Sequence, residues 1–95
     1  MSVAIYPCIA NITTKEYEPV DGFDIDDAVT IPSNFPKLGS YIHYAGLRDA
    51  IQEYLRMAAH ENYANEAPYI ALKVSRLLDL EKKARMLGAN GFYIA

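Results

Sequence analysis

The stretch that decides the fold class is residues 66–95, with the sequence EAPYIALKVSRLLDLEKKARMLGANGFYIA. Its apolar residues recur at steps of three and four, as one helix face requires; they are Ile70, Val74, Leu77, Leu80, Ala84 and Leu87. Pro68 is tolerated in a first helical turn, and Gly88 suits a left-handed helix end. The sequence therefore predicts a helix over 66–87 and a closing strand over 91–95.

A second amphipathic pattern precedes this helix. Its apolar stripe consists of Tyr44, Leu47, Ile51, Tyr54, Leu55 and Ala58. Ser40 is a suitable amino-terminal cap, and we predict a helix near residues 41–59. Because residues 41–44 have β character, a start nearer Gly46 stays open.

The amino-terminal part predicts strands. Residues 3–10 are apolar and rich in β-branched and aromatic types, but Pro7 cannot donate to a ladder. We expect an edge strand, or a strand broken at Pro7. Residues 13–18 predict a polar strand that could complete a hairpin. The strand at 91–95 should pair with residues 3–10, since both are apolar.

Together these elements predict an α+β fold in the order β-β-loop-α-α-β. Two antiparallel helices pack on one face of a small two- or three-stranded sheet. With 95 residues, the chain has room for a single small globular domain over residues 1–95. Residues 19–40 hold three prolines and two glycines, and we predict that they form an irregular acidic segment.

The acidity of the chain is concentrated in this region. Residues 16–36 contain six acids and no base. Asp24 can cap a single helical turn with Asp27 at its third position. An EF-hand count from Asp21 places Pro32 where the glutamate is required, so no metal site is predicted. The acidic residues either keep the exposed loop soluble or attract a partner with a basic surface.

Composition excludes several classes of function. The net charge is −3, and the sequence lacks the basic patch of a nucleic-acid-binding domain. The longest apolar run is about a third of a membrane-spanning helix. The n-region of a secretory signal requires Lys or Arg near the amino terminus, and none precedes Lys15. We therefore expect a cytoplasmic protein with no direct nucleic-acid contact, no membrane contact and no cofactor.

No catalytic motif is recognisable. His60-Glu61 begins like a zinc-protease motif, but Ala64 stands where the second histidine is needed. Cys8 lies in an apolar run and predicts a buried, inert thiol. A triad of Cys8, His43 and an acid has no supporting geometry in the sequence. We predict that the protein is not an enzyme.

Tyrosine is unusually frequent, with eight residues and no tryptophan. Tyrosine is enriched at protein interfaces, although half-buried tyrosines also close thin cores. The candidate partner-binding residues are Asp24, Asp26, Asp27, Tyr41, Tyr63 and Tyr69. They predict a small regulatory or inhibitor-type protein that binds a larger protein, one with a basic surface for the acidic loop. The alternative is an oligomeric small-ligand-binding or catalytic domain with a pocket between subunits, and a homodimer stays open.

Overall fold

A computed structural model describes residues 3–11, 13–32, 35–36, 39–59 and 65–95. The described elements are β1 (Val3–Asn11), β2 (Glu16–Pro19), a 3-10 turn (Ile25–Asp27), β3 (Val29–Ile31), β4 (Tyr41–Ile42), α1 (Tyr44–Ala58), α2 (Ala67–Met86) and β5 (Gly91–Ile94). The α+β class predicted from the sequence is confirmed.

The strands form one antiparallel sheet with β1 and β5 at its centre. β1 pairs with β5, as predicted, and β4 continues the sheet beyond β5. On its other side, β1 pairs with both β2 and β3. The described residues thus form five strands, and the expected two or three were too few. β3 and β4 are too short for an alternating pattern to reveal them.

Pro7 explains how two strands share one edge of β1. β3 pairs with residues 3–5 of β1, and β2 pairs with residues 8–11, so Pro7 lies between the two registers. A proline has no N–H to donate to a neighbouring strand. The edge strand is interrupted at this point, and residues 20–28 leave the sheet as a loop. β1 itself continues through Pro7 and is not an edge strand, so both alternatives expected for residues 3–10 are wrong.

The structure corrects the prediction for residues 19–40. The described part of this segment contains the 3-10 turn and β3, and is not irregular throughout. Asp24 caps the turn, as predicted, because its side chain accepts a hydrogen bond from the Asp26 amide at 3.0 Å.

The first helix begins later than the predicted range of 41–59. Its amino-terminal cap is His43, not Ser40, because Tyr41 and Ile42 pair with β5. The β character of these two residues therefore outweighs the cap signal. The second helix agrees closely with the prediction: Pro68 lies in its first turn, and Gly88 follows it with φ +79°.

The core lies between the helices and one face of the sheet. Ile5 and Phe92 of the sheet are fully buried against Leu47, Tyr54 and Leu77 of the helices. Leu55 of the predicted apolar stripe is 46% exposed, so its expected place in the core is wrong, and Ile25 is 69% exposed. Leu55 lies at the edge of the apolar stripe of α1. Ile25 belongs to the turn that projects from the interrupted edge.

Candidate functional site

The face of the sheet that points away from the helices is rich in tyrosine. Residues that pair directly in an antiparallel sheet share a face, so the registers identify its members. We define the tyrosine face as Tyr6, Cys8, Ala10, Tyr17, Pro19, Tyr41, Gly91 and Tyr93. No member carries a charge at neutral pH. Cys8 and Ala10 do not belong to the core cluster beneath the helices.

Its four tyrosines form two stacked pairs. Tyr6 and Tyr93 are direct cross-strand partners, and their ring centroids are 5.0 Å apart with an interplanar angle of 19°. Tyr17 and Tyr41 come from opposite sides of the sheet, yet their rings stack at 5.3 Å and 5°. They meet above β1 and β5 because Cys8, Ala10 and Gly91 lie beneath them. The small residues thus leave room for the aromatic rings to lie against the sheet.

Asn90 links β1 to β5 at the start of β5. Its Oδ1 accepts from the Ala10 amide at 2.9 Å, and its Nδ2 donates to the Ala10 carbonyl at 3.0 Å. The side chain therefore extends the β1–β5 ladder by one amide. Tyr41 Oη donates to the Asn90 carbonyl at 3.4 Å, which ties one tyrosine to the same turn.

Burial raises the pKa of three ionisable groups of this face. Desolvation raises the pKa of Cys8 to about 11. Burial also raises the pKa of Tyr41, with smaller contributions from Cys8 and Tyr17. The same cause, helped by Tyr6 and Cys8, raises the pKa of Tyr93. A thiol with a raised pKa is a poor nucleophile at neutral pH, so the chemistry of the face is aromatic contact and hydrogen bonding.

Charges border the tyrosine face but do not enter it. Glu16 and Glu18 are exposed on the edge strand β2, and Asp21 follows that strand. Among the described Lys and Arg residues, every one except Lys15 lies on α1 or α2, on the other side of the sheet. The registers pair Glu18 with Ile9 and Glu16 with Asn11, so both glutamates lie on the opposite face of the sheet and the tyrosine face itself is uncharged.

The three aspartates predicted to bind a partner have different surroundings. Asp24 caps the 3-10 turn, and Asp26 is exposed in it. Asp27 forms an ion pair with Lys83 of α2, with 3.2 Å between Oδ2 and Nζ. The loop is thus partly neutralised by the helix, and Asp24 and Asp26 keep most of its available charge.

Beside this loop lies a small apolar cavity of about 180 Å³, lined by Phe23, Met86 and Leu87 together with Asp24 and Lys83. Met86 is 85% exposed. Small-molecule pockets usually enclose roughly 300–1,000 Å³. The cavity is thus smaller than an ordinary ligand site.

The predicted tyrosines do not form one cluster. Tyr41 belongs to the tyrosine face, whereas Tyr69 is 52% exposed on α2, with its ring centroid 5.6 Å from Lys73 Nζ. Tyr63, like the rejected zinc motif at 60–64, lies outside the described residues. Tyr6, Tyr17 and Tyr93 were not among the tyrosines predicted to bind a partner. The sequence did contain a signal for this face. Tyr6, Cys8 and Ala10 occupy alternate positions of one strand, and Gly91 and Tyr93 do so in the strand predicted to pair with it.

Between the helices lies a buried carboxylate that pairs with two exposed arginines. Glu81 is 2% exposed, and its Oε1 accepts from Arg48 Nε at 3.0 Å and from Arg85 Nη2 at 3.1 Å. The Arg85 guanidinium also lies 4.1 Å from the centre of the Tyr44 ring. Glu81 Oε2 has no hydrogen-bond partner within the described part of the chain. The cluster joins the start of α1 to the end of α2, which is a structural role.

The described residues bring no three His, Cys, Asp or Glu side chains into a group that could hold a metal ion. Neither described helix combines the length and apolarity that crossing a membrane requires. Comparisons with protein-family models, with curated proteins and with solved structures found no match to this chain. The class is therefore defined by structure alone: a small α+β domain with an uncharged tyrosine face.

Proposed function

We propose that this protein is a small non-enzymatic protein-binding protein, of regulatory or inhibitor type, that contacts its partner through the tyrosine face. The observation that carries the proposal is four tyrosines on a sheet face free of charged residues, opposite the helices. The centres of protein interfaces are enriched in aromatic residues and depleted of charge. Tyrosine adds a hydroxyl for hydrogen bonding to a large apolar ring.

Charge favours a protein over nucleic acid as the partner. Aromatic platforms for single-stranded nucleic acid work together with cations that follow the phosphate backbone. Here the described cations other than Lys15 lie on the helices, on the other side of the sheet. In addition, the tyrosine rings already stack on one another. Within the described residues, the tyrosine face therefore offers no cation other than Lys15 to hold a phosphate backbone.

The edge strand β2 indicates the chemistry of the partner. Glu16 and Glu18 point to the face opposite the tyrosines, so a partner that also wraps around this edge would place basic residues against them. A second copy of this chain offers only Lys15 on this side within the described residues, so self-association would leave the acidic edge without matching cations. We therefore propose that the partner is a different, larger protein with a basic rim around its contact surface.

The acidic loop has a separate part in this proposal. Asp24 and Asp26 are exposed and form no ion pair within the described chain, and they lie beside α2. Charges at the border of an interface act mainly on the association rate, and salt screens them. Replacing both with Asn should slow association at low salt and have little effect at high salt.

The test compares three variants as bait in affinity capture from the native host, with the captured proteins identified by mass spectrometry. The first, Tyr6→Thr/Tyr17→Thr, removes one ring from each stacked pair and keeps strand propensity. The second, Leu72→Gln/Leu78→Gln, removes exposed apolar groups from α2 and is the matched control. The third, Tyr69→Gln, tests the tyrosine of α2 that the sequence predicted.

We expect one protein to be captured by both the parent and the α2 control. The tyrosine double variant should capture about tenfold less of it, or lose it entirely, if the rings are hot spots. Capture of the same protein by the double variant would refute the role of this face. Sedimentation of the parent as a dimer that dissociates in the double variant would identify a second copy as the occupant. Thermal unfolding of each variant confirms that it folds.

A further inference from the structure

A second surface, separate from the tyrosine face, lies between α2 and the edge strand β3. One wall is residues 26–30, and the other is α2 from Lys73 to Lys83. The groove encloses about 360 Å³, twice the volume of the apolar cavity near Met86. It runs along the free side of a strand, where a peptide can add to a sheet.

The backbone of β3 has a free donor and acceptor at the groove. The Ala4 amide and carbonyl both bond to Ala95, at 2.8 and 3.1 Å, on the β5 side of β1. Ala4 is the register partner of Thr30. Backbone bonding alternates along an antiparallel ladder, so Thr30 does not bond to Ala4. Its N–H and C=O therefore point outward, away from β1.

The helix wall supplies cations without ion-pair partners. Lys73 is only 7% exposed, yet no described carboxylate lies within ion-pair distance of its ammonium, whose aromatic neighbour is Tyr69. Arg76, one turn further along, also forms no ion pair with a described residue. Lys83 differs, because Asp27 already neutralises it. The Lys73 ammonium is not among the buried side-chain atoms without a partner, so an anionic group that enters the groove can reach it.

Aspartates limit how much anion the groove can accept. Asp26, Asp27 and Asp79 line it, and these three acids equal in number the three bases of the groove. A polyanion such as a nucleic-acid backbone would meet these carboxylates, whereas a single acidic side chain can be placed against Lys73 and Arg76. An extended peptide combines such a side chain with the backbone groups that Thr30 can pair with.

We propose that this groove binds an extended acidic peptide of a partner protein, which adds as a strand to β3 and places a carboxylate against Lys73 and Arg76. Thr30 points to the face opposite the helices, so a peptide residue that pairs with it shares that face. The neighbours of that peptide residue point towards α2, and these are the acidic positions. The helix wall of the groove lies on the other side of the sheet from the tyrosine face, and only Thr30 points to the side of the tyrosines.

The probe is a fluorescein-labelled peptide, acetyl-Thr-Glu-Thr-Glu-Thr-amide, and its comparator has lysine in place of both glutamates. Binding is measured by fluorescence anisotropy at low ionic strength. The net charge of the protein, −3, would by itself favour the lysine peptide. A preference of about tenfold for the acidic peptide is expected from charge-assisted hydrogen bonds at the groove. Equal binding, a preference for lysine, or no saturable binding up to about 2 mM peptide overturns the proposal.

Two groove variants and one control assign the binding. Lys73→Met keeps the buried stem and removes the charge, and should weaken the acidic peptide about tenfold. Thr30→Pro removes the outward donor, which an edge strand tolerates, and should weaken both peptides. Lys82→Met removes an exposed cation of α2 outside the groove and should leave binding unchanged.

Unchanged affinity in Lys73→Met overturns the proposal; if that variant does not fold, Arg76→Gln takes its place under the same criterion. Hydrogen exchange gives a second measurement, because strand addition should slow exchange at the Thr30 amide. The tyrosine double variant should bind the peptide normally. A failure of the groove proposal can therefore be distinguished from a failure of the tyrosine-face proposal.

Discussion

The ring of Tyr41 lies across Gly91, so closely that a Cβ atom at position 91 would be 2.7 Å from Tyr41 Cε2. The same Cβ would be 2.7 Å from the Ile42 carbonyl oxygen. One contact involves a side chain and the other the backbone of β4, so turning the ring would relieve only half of the conflict. Gly91 thus sets both the position of β4 and the stacking of Tyr41 on Tyr17.

Gly91→Ala should destabilise the protein by about 1–3 kcal/mol, the usual cost of forcing an additional methyl group into a packed site. The Tyr17–Tyr41 stack should also loosen, which near-ultraviolet circular dichroism detects through the tyrosine bands. Denaturant unfolding measures the loss of stability. A variant with parental stability would show that β4 adjusts to the methyl group freely.

Gly46 provides a matched comparison, because it lies within α1 and the nearest atom to an added Cβ is Ile42 Cβ at 3.6 Å. That is an ordinary contact, and alanine has the higher helix propensity. Gly46→Ala should therefore stabilise the protein by up to about 1 kcal/mol. Opposite signs for the two glycine substitutions would confirm that position 91 is special for steric reasons.

The sequence predicted those elements whose residues repeat a pattern several times. The stripe from Ile70 to Ala84 defined α2 within a residue or two at each end, because five turns of helix supply many matches. β4 has only two residues and depends on pairing with β5, which no local pattern contains. Tyr41 was therefore assigned to the start of a helix.

The candidate site was predicted less completely than the fold, for a related reason. Tyr17 and Tyr41 stack although 23 positions separate them in the sequence, and they meet only because Gly91 and Cys8 leave room. Such a contact depends on register across three strand pairings. Likewise, nothing local to Asp27 indicates that Lys83 neutralises it.

Leu77→Ala should reduce the free energy of unfolding by about 2–5 kcal/mol, as for other buried leucines truncated in cores. Leu77 is 1% exposed within the cluster between helices and sheet. The adjacent Leu78 is 40% exposed, and Leu78→Ala should cost about half a kcal/mol or less. Urea unfolding of the two variants provides the measurement. Similar losses for both would mean that the orientation of α2 is wrong.

Glu81→Gln should destabilise the protein by about 1–3 kcal/mol. The substitution removes the counter-charge of Arg48 and Arg85 and leaves a buried amide without a full set of partners. The control is Glu53→Gln, because Glu53 pairs with Arg56 at 2.9 Å on the surface. Exposed pairs contribute at most about 1 kcal/mol. If Glu53→Gln proved as costly as Glu81→Gln, burial would not be what makes the Glu81 cluster important.

Cys8 should make the protein less stable as pH rises from about 9 to about 11. Its pKa is raised by burial from 9.0 to about 11 in the folded state. Below pH 9 the thiol is protonated in both states, so its contribution to stability is complete. Between the two values the unfolded chain releases the proton while the folded chain retains it, and folding becomes less favourable.

The measurement is the free energy of unfolding by urea at several pH values from 7 to 11, for the parent and for Cys8→Ala. Between pH 9 and pH 11 the parent should lose about 1–3 kcal/mol more than the variant. The raised pKa values of Tyr41 and Tyr93 act in the same direction, but both chains contain these residues, so their effect largely cancels in the comparison. Parallel curves for the two proteins would mean that the Cys8 thiol reaches water, and that the tyrosine rings do not cover it.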